Sequence, residues 1–217
     1  MNARLAEKEG FAGLFLRLRA EGLADKALLT ALEQTPRTLF FSAAYSDAAY
    51  QDRLVPIDCG SFAESADLVA RLIMAAAIEP GHRVLDLGTG SGFLAAVAAR
   101  LAERVVTVDR YKTLVQLAQQ RFGHLGLANV VSRQADGLKG MNGEGSFDRI
   151  IATCAFDGMP RQFVDQLASG GVMLAPILQE NGRAQMVRLT KIGSRFERED
   201  LFEVPYRAFI PGVAAAL

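Results

Sequence analysis

The chain has 217 residues, half of them hydrophobic, with 24 Lys and Arg against 24 Asp and Glu. That is enough chain for a well-buried domain, and a formal net charge of zero lacks the basic surplus of a duplex-binding surface, so no nucleic-acid partner is expected. Two cysteines, Cys59 and Cys154, cannot form a disulfide framework, and no CxxC pair suggests zinc, so no metal is expected.

The amino-terminal "MNARLAEKEG" is too charged for a secretory h-region. "GLFLRLRAEGL" then sets Leu14, Leu18 and Leu23 roughly on one helical face, and "DKALLTALEQTP" starts a second helix behind Asp25 as N-cap, stopped by Pro36. "SAAYSDAAYQDRLVPIDCGSFAES" follows without a sustained period and is long for a plain connection. Loops of that kind tend to be lids or binding segments. A third helix is expected from about Ser65 to Ile78. Its apolar run, "LVARLIMAAAI", is short and carries Arg71, so it is a core helix and no membrane partner is expected. Together these features predict a soluble cytoplasmic α/β protein.

From Arg83 the pattern becomes strand–helix alternation. Strands are expected at "RVLDL", "RVVTVD", "NVVSRQ", "FDRIIAT" and "GGVMLAPI", and helices at "GFLAAVAARLA", "KTLVQLAQQRFGHLG" and "PRQFVDQLA". This predicts a parallel, doubly wound sheet. "AQMVRLTK" and "LFEVPYRAFIP" read as antiparallel edge strands.

Gly88, Gly90 and Gly92 sit between the first of these strands and the helix after it. A turn without Cβ atoms lets backbone approach a ligand, and in such sheets the ligand lies beyond the carboxyl ends of the strands. The spacing is G-x-G-x-G, not the dinucleotide G-x-G-x-x-G. Asp86 lies just before the turn, where a carboxylate repels a pyrophosphate but holds an ammonium. S-adenosylmethionine carries an ammonium and a sulfonium and no phosphate. Asp109 ends the next strand, placed to accept from ribose hydroxyls, and Asp136, before Gly137, is placed to accept from the adenine amino group. With Thr89 and Arg110 these residues make up the expected cofactor site. Each acid also has a plainer use: a turn cap for Asp86, a helix cap for Asp109, a turn dipeptide for Asp136-Gly137.

Over most of its length the chain resembles the protein-L-isoaspartate O-methyltransferases, a branch of the class I S-adenosylmethionine-dependent methyltransferases. The likeness is carried by "LRAEGLADKALLTALEQTPRTLFF", "AYQDRLVPI", "VLDLGTGSGF", "ADGLKG", "FDRIIATCAFDGMP", "QLASGGVMLAPI" and "VPYRAFIP". The resemblance implies a Rossmann-like, doubly wound, mostly parallel seven-stranded sheet with helices on both faces. A single domain over 1–217 is expected, with a helical extension and acceptor-side loop over 1–79 and the cofactor core with its edge strands over 80–217. It also implies methyl transfer to the carboxylate of L-isoaspartyl or D-aspartyl residues in proteins or peptides.

One segment departs from the pattern. The family carries a Thr-x-Ser element and a proline after its "P-I" dipeptide, and those hydroxyls line the acceptor site. Counted without gaps, the matching positions are Phe62, Glu64 and Ala66. An ionised Glu64 at about 4 Å from an anionic acceptor would repel it by roughly 4 kcal/mol at an effective dielectric near 20. Ser61 and Ser65 flank the change and can restore a hydroxyl, so Ser61, Glu64 and Ser65 are the candidate catalytic residues. Three readings stay open: isoaspartyl methylation, methylation of another acceptor including a small molecule, and cofactor binding without catalysis. A short-chain reductase is disfavoured because no Tyr-x-x-x-Lys pair occurs. His82, His124 and Cys154 are read as structural, and Phe62 as a cover for the adenosine.

Overall fold

The computed structural model describes residues 3–141 and 143–215; residues 1, 2, 142, 216 and 217 of the expected domain lie outside them. Helix α1 (Ala3–Ala20) buries Leu14 and Leu18, the i, i+4 pair of its apolar stripe. Its Arg17 makes a two-pronged ion pair with Asp67, at 2.8 and 2.9 Å. Helix α2 (Lys26–Glu33) begins as expected on Asp25, whose carboxylate accepts from Leu28 N. Residues 37–40 form a 3-10 turn, Arg37–Phe40, and the aperiodic stretch 42–65 opens with another at Ala43–Ala48. An antiparallel hairpin follows, strand β1 (Val55–Ile57) with β2 (Ser61–Ala63).

Helix α3 (Ala66–Ala76) ends at Ala77 in the left-handed region, φ 49°. Two arginines from the sheet cover its last carbonyls. Arg149 Nε donates to Ala76 O at 2.6 Å, and Arg188 Nη2 to Ala75 O at 2.9 Å. Cations at a helix carboxyl end satisfy open carbonyls and complement the dipole, so this pair docks α3 onto the sheet.

The sheet has seven strands: β3 (Arg83–Leu87), β4 (Arg104–Asp109), β5 (Val130–Gln134), β6 (Phe147–Ala152), β7 (Leu167–Leu178), β8 (Ala184–Ile192) and β9 (Arg195–Val204). Their order is β5-β4-β3-β6-β7-β8-β9. The first five are parallel, and β8 and β9 are antiparallel. Chain order reverses at β3, so the connections leaving β3 and β6 part there and open a crevice. Helices α4 (Phe93–Ala99) and α5 (Lys112–His124) join α1–α3 over one face, in a cluster that reaches Val84, Val105 and Ile151. The other face packs Leu85, Val106 and Ile150 against Phe156 and Phe163. Its helical cover is 3-10, at Gly137–Lys139 and Arg161–Gln166.

Two expectations need correction. "PRQFVDQLA" is not an α-helix: Leu167 already pairs with Phe147, which leaves room only for the tighter 3-10 form. The last strand runs earlier than expected and stops at Val204, because Pro205 has no N–H for the ladder. Residues 205–215 instead cross the strand ends. Phe209 N donates to Ala155 O at 2.9 Å, Gly212 N to Asp136 Oδ2 at 3.0 Å and Ala214 N to Arg110 O at 2.9 Å.

Arg37, 1% exposed, ties the acceptor side together. Its Nε donates to Ala49 O at 2.5 Å, its Nη2 to Glu64 O, and its guanidinium lies 4.4 Å from the Phe93 ring. Arg37→Met keeps the bulk and leaves two carbonyls without their donors. It is expected to cost about 2–4 kcal/mol, lowering the melting temperature by roughly 4–15 °C in scanning calorimetry.

Candidate active site

The glycine turn is fastened to β4. Gly88 N and Thr89 N both donate to Val108 O, at 2.9 and 3.0 Å. Gly88 has φ 111°, and a Cβ there would lie 2.4 Å from Thr153 Oγ1, so only glycine fits. Gly92 has a different reason from the expected one. It does not line the crevice, and a Cβ on it would meet Ala118 Cβ at 2.9 Å. Its bareness lets α4 start close against α5.

Asp86 is fully buried. Register places it opposite Thr107, whose hydroxyl donates to Asp86 Oδ2 at 2.6 Å. Thr89 Oγ1 lies 2.7 Å from Thr107 Oγ1 and completes a short chain of hydroxyls. Asp86 Oδ1 has no partner among the described residues. Burial pushes this carboxyl well above the ordinary range; Thr107 pulls it back, and Glu64 and Asp109 add to the rise. A buried carboxylate with one free oxygen is a group waiting for a donor or a cation.

Asp109 accepts from Gly90 N and Tyr111 N, both at 3.0 Å. It is not the cap of α5, whose N-cap is Tyr111, but it braces the turn before that helix while it also lines the crevice. Burial raises it, and those backbone donors with the Arg110 charge lower it. Asp136 accepts from Leu138 N at 3.1 Å and Gly212 N at 3.0 Å. Its turn role holds, and it also fastens the closing segment. Gly137, not Asp136, lines the crevice.

Two cavities adjoin over these strand ends. One, about 110 Å³, lies among Gly88, Gly90, Asp109, Arg110, Gly137 and Phe209. The second, about 240 Å³, lies among Leu54, Cys59, Gly60, Tyr206 and Arg207. Ser61, Phe62, Glu64, Thr153 and Cys154 line both. A larger open groove of about 720 Å³ at the β7–β8 turn lacks this cluster of acids, and chemistry weighs more than size. Among the described residues no group of three or more His, Cys, Asp or Glu side chains could hold a metal.

Of the candidate catalytic residues, Ser61 and Glu64 face the cavities and Ser65 does not. The Ser65 hydroxyl accepts from Leu68 N at 3.1 Å as the N-cap of α3, so the helix needs it elsewhere. Burial pushes the Glu64 carboxyl up, while its own backbone N–H and Arg37 pull it down. Cys154, read from sequence as packing, lies at the junction of the cavities; burial first, then Asp109, Asp86 and Glu64, push its thiol up to about 12. The sequence reading also missed Tyr206, Arg207 and Phe209. The bracketing prolines, Pro205 and Pro211, were the available signal that this stretch leaves the sheet.

The raised Asp86 carboxyl has a stability consequence. The folded state keeps a proton that the unfolded chain has lost, so stability falls as pH rises from about 4 through the raised value. Asp86→Asn removes that loss. Without ligand it should melt a few degrees higher at pH 7, with the gain vanishing near pH 4, by differential scanning fluorimetry at both pH values.

The family model "Protein-L-isoaspartate(D-aspartate) O-methyltransferase (PCMT)" matches residues 10–214. The protein-L-isoaspartate O-methyltransferase of Rhizobium meliloti (strain 1021) is 52% identical over 202 residues, covering 93% of this chain and 99% of that one. The enzyme of the same name from Azorhizobium caulinodans is 43% identical over 212 residues, 98% of each chain. A solved protein-L-isoaspartate O-methyltransferase superposes with a TM-score of 0.82 at 24% identity, over 91% of this chain and 65% of that longer one. A Plasmodium falciparum structure described as a protein of this kind in complex with S-adenosyl-L-homocysteine gives 0.77 at 23%, over 91% of this chain and 97% of that one. The acids at the strand ends, the closing segment and these likenesses lead to one assignment: the chain belongs to the protein-L-isoaspartate(D-aspartate) O-methyltransferase family.

Proposed function

We propose that the protein uses S-adenosylmethionine to methylate the free carboxylate of L-isoaspartyl and D-aspartyl residues in proteins and peptides. The observation that carries the cofactor is the buried, half-satisfied Asp86 carboxyl at the end of β3, which does not itself line the crevice but lies within electrostatic reach of Asp109, which does. Acids gathered in low dielectric favour a cation and oppose a pyrophosphate. The residues present therefore fit a ligand with an ammonium and a sulfonium. Asp86 would hold the ammonium, Asp109 the ribose hydroxyls, and Gly88, Gly90 and Gly137 would let the ligand lie close to backbone. Phe62 and Phe209 would cover it.

When bound, S-adenosylmethionine supplies a methyl group that passes to an acceptor oxygen as the carbon–sulfur bond breaks, its electron pair staying on sulfur. A carboxylate acceptor is already a competent nucleophile, so the protein supplies no strong base. The second cavity's task is to exclude water and hold the acceptor oxygen in line. The resulting ester has methoxide as a better leaving group than the free carboxylate offers, so the backbone amide nitrogen attacks its carbonyl, methanol departs and the succinimide closes. Both cysteines are unpaired, which suits the reducing cytoplasm as its place of action.

In calorimetry, S-adenosylhomocysteine should bind and NAD should not. Asp109→Asn should weaken the former about 10- to 100-fold, the worth of hydrogen bonds to a charged acceptor. With the radiolabelled cofactor, an isoaspartyl peptide should become base-labile ester while the matched normal aspartyl peptide does not. Binding of S-adenosylhomocysteine without esterification would mean another acceptor; failure to bind it would end the cofactor assignment.

A further inference from the structure

The hairpin after β1 presents Phe62 and Glu64 to the cavities, so an incoming carboxylate finds Ser61 as the one hairpin hydroxyl lining them. Tyr111 and Thr153 also line both cavities, the Thr153 hydroxyl already donating to Gly88 O at 3.0 Å, and two further groups that can carry an O–H converge there. Glu64 lines both cavities at their junction, and its main chain is held because its carbonyl accepts from Arg37. Tyr206, on the closing segment, lines the second cavity and also the open groove at the β7–β8 turn. The Tyr206 hydroxyl is buried and has no hydrogen-bond partner among the described residues. An orphaned buried donor is costly to keep, and this one lies within electrostatic reach of Glu64, Asp86 and Cys154. It is the donor that a carboxylate in this chamber would satisfy.

We infer that Glu64 and Tyr206 form the pair that receives the acceptor carboxylate, each giving one O–H bond in place of the hydroxyls the hairpin lacks. The inference rests on the isoaspartyl acceptor proposed above. It turns the apparent obstacle into the recognition device, because a carboxylic acid donates to a carboxylate where a second carboxylate would repel it. Such charge-assisted O–H bonds are short and strong.

The protonation state follows from what surrounds Glu64. Burial pushes its carboxyl up, with Arg37 and its own N–H opposing. Asp86 from β3, Cys154 beyond β6 and Tyr206 from the closing segment also face it. Asp109, Arg110 and Arg207 line the same cavities. An arriving carboxylate adds one more negative charge and favours the protonated form further. Burial also holds Tyr206 well above its ordinary value, so its hydroxyl remains a donor. Because Glu64 must keep its proton, kcat/KM should fall as pH rises through its raised value.

The test is steady-state methylation of an isoaspartyl peptide by the full-length protein, with S-adenosylhomocysteine affinity and melting temperature measured for each variant. Tyr206→Phe should raise KM for the peptide at least tenfold, with S-adenosylhomocysteine affinity within about twofold of wild type. Glu64→Ala should lower kcat/KM about 30-fold or more. Glu64→Gln, whose amide still donates, should recover part of that loss and flatten the alkaline fall in kcat/KM. An unchanged KM in Tyr206→Phe, or an unchanged alkaline limb in Glu64→Gln, overturns the inference while leaving the isoaspartyl reading intact. If Glu64→Ala does not fold, the pH profile of Glu64→Gln decides alone. A wild type that binds S-adenosylhomocysteine and esterifies no isoaspartyl peptide overturns the acceptor reading and this pair with it.

Discussion

A guanidinium sealed from water beneath a group of acids is the constraint on which the acceptor side depends. Arg37 donates to Ala49 O and Glu64 O with its side chain, leaves Nη1 without a partner among the described residues, and stacks near Phe93 and Phe41. Its backbone N–H donates to Glu7 Oε1 at 2.8 Å, bringing α1 into the same knot. Burial lowers it to about 10, with Glu64 the foremost of the charges opposing that fall, so it stays charged at neutral pH. Moving such an ion out of water costs several kcal/mol, recovered only through good geometry and satisfied donors. One residue thus fixes the amino-terminal helices, the aperiodic stretch and the hairpin's carboxyl end against α4. Few other side chains could reach carbonyls in such distant parts of the chain at once.

Above this cation the balance of charge is reversed. Asp86, Asp109 and Glu64 are all pushed up chiefly by burial, a sign that the fold alone does not fully satisfy them. Natural sequences break the rules of polar satisfaction at sites where a ligand completes the pattern. The hydroxyl chain Thr89–Thr107–Asp86 satisfies one carboxylate oxygen and leaves the other, which limits the cost in the free protein while keeping a place for a cation. The closing segment adds aromatic walls from a different part of the sequence, and Asp136 and the Arg110 carbonyl hold it across the strand ends.

The sheet was legible because "RVLDL", "RVVTVD" and "FDRIIAT" are runs of apolar, largely β-branched residues closed by turn formers, a pattern few other structures produce. Asp86 and Asp109 were legible as site residues because acids ending buried strands have little else to do. Gly92 was recognised for an incomplete reason, since one sequence cannot show that α5 passes within contact of it. Ser65 was misread because a serine before a helix can serve the helix or the site, and spacing does not say which. Glu64 was legible as a candidate because it stands in the altered hairpin element, whereas Tyr206 gave no signal. A lone tyrosine in a strand-like run looks the same exposed or buried, and only the packing of the closing segment decides.

The position of Cys154 bears on how such a protein survives its own reagent. A sulfonium methyl is an alkylating agent, and a thiolate is a far better nucleophile than the carboxylate it is meant to reach. With its thiol pushed up to about 12, it stays in the protonated form at pH 7. Burial first, reinforced by the acids beside it, keeps this thiol protonated, and a protonated thiol is a poor nucleophile toward a sulfonium methyl group.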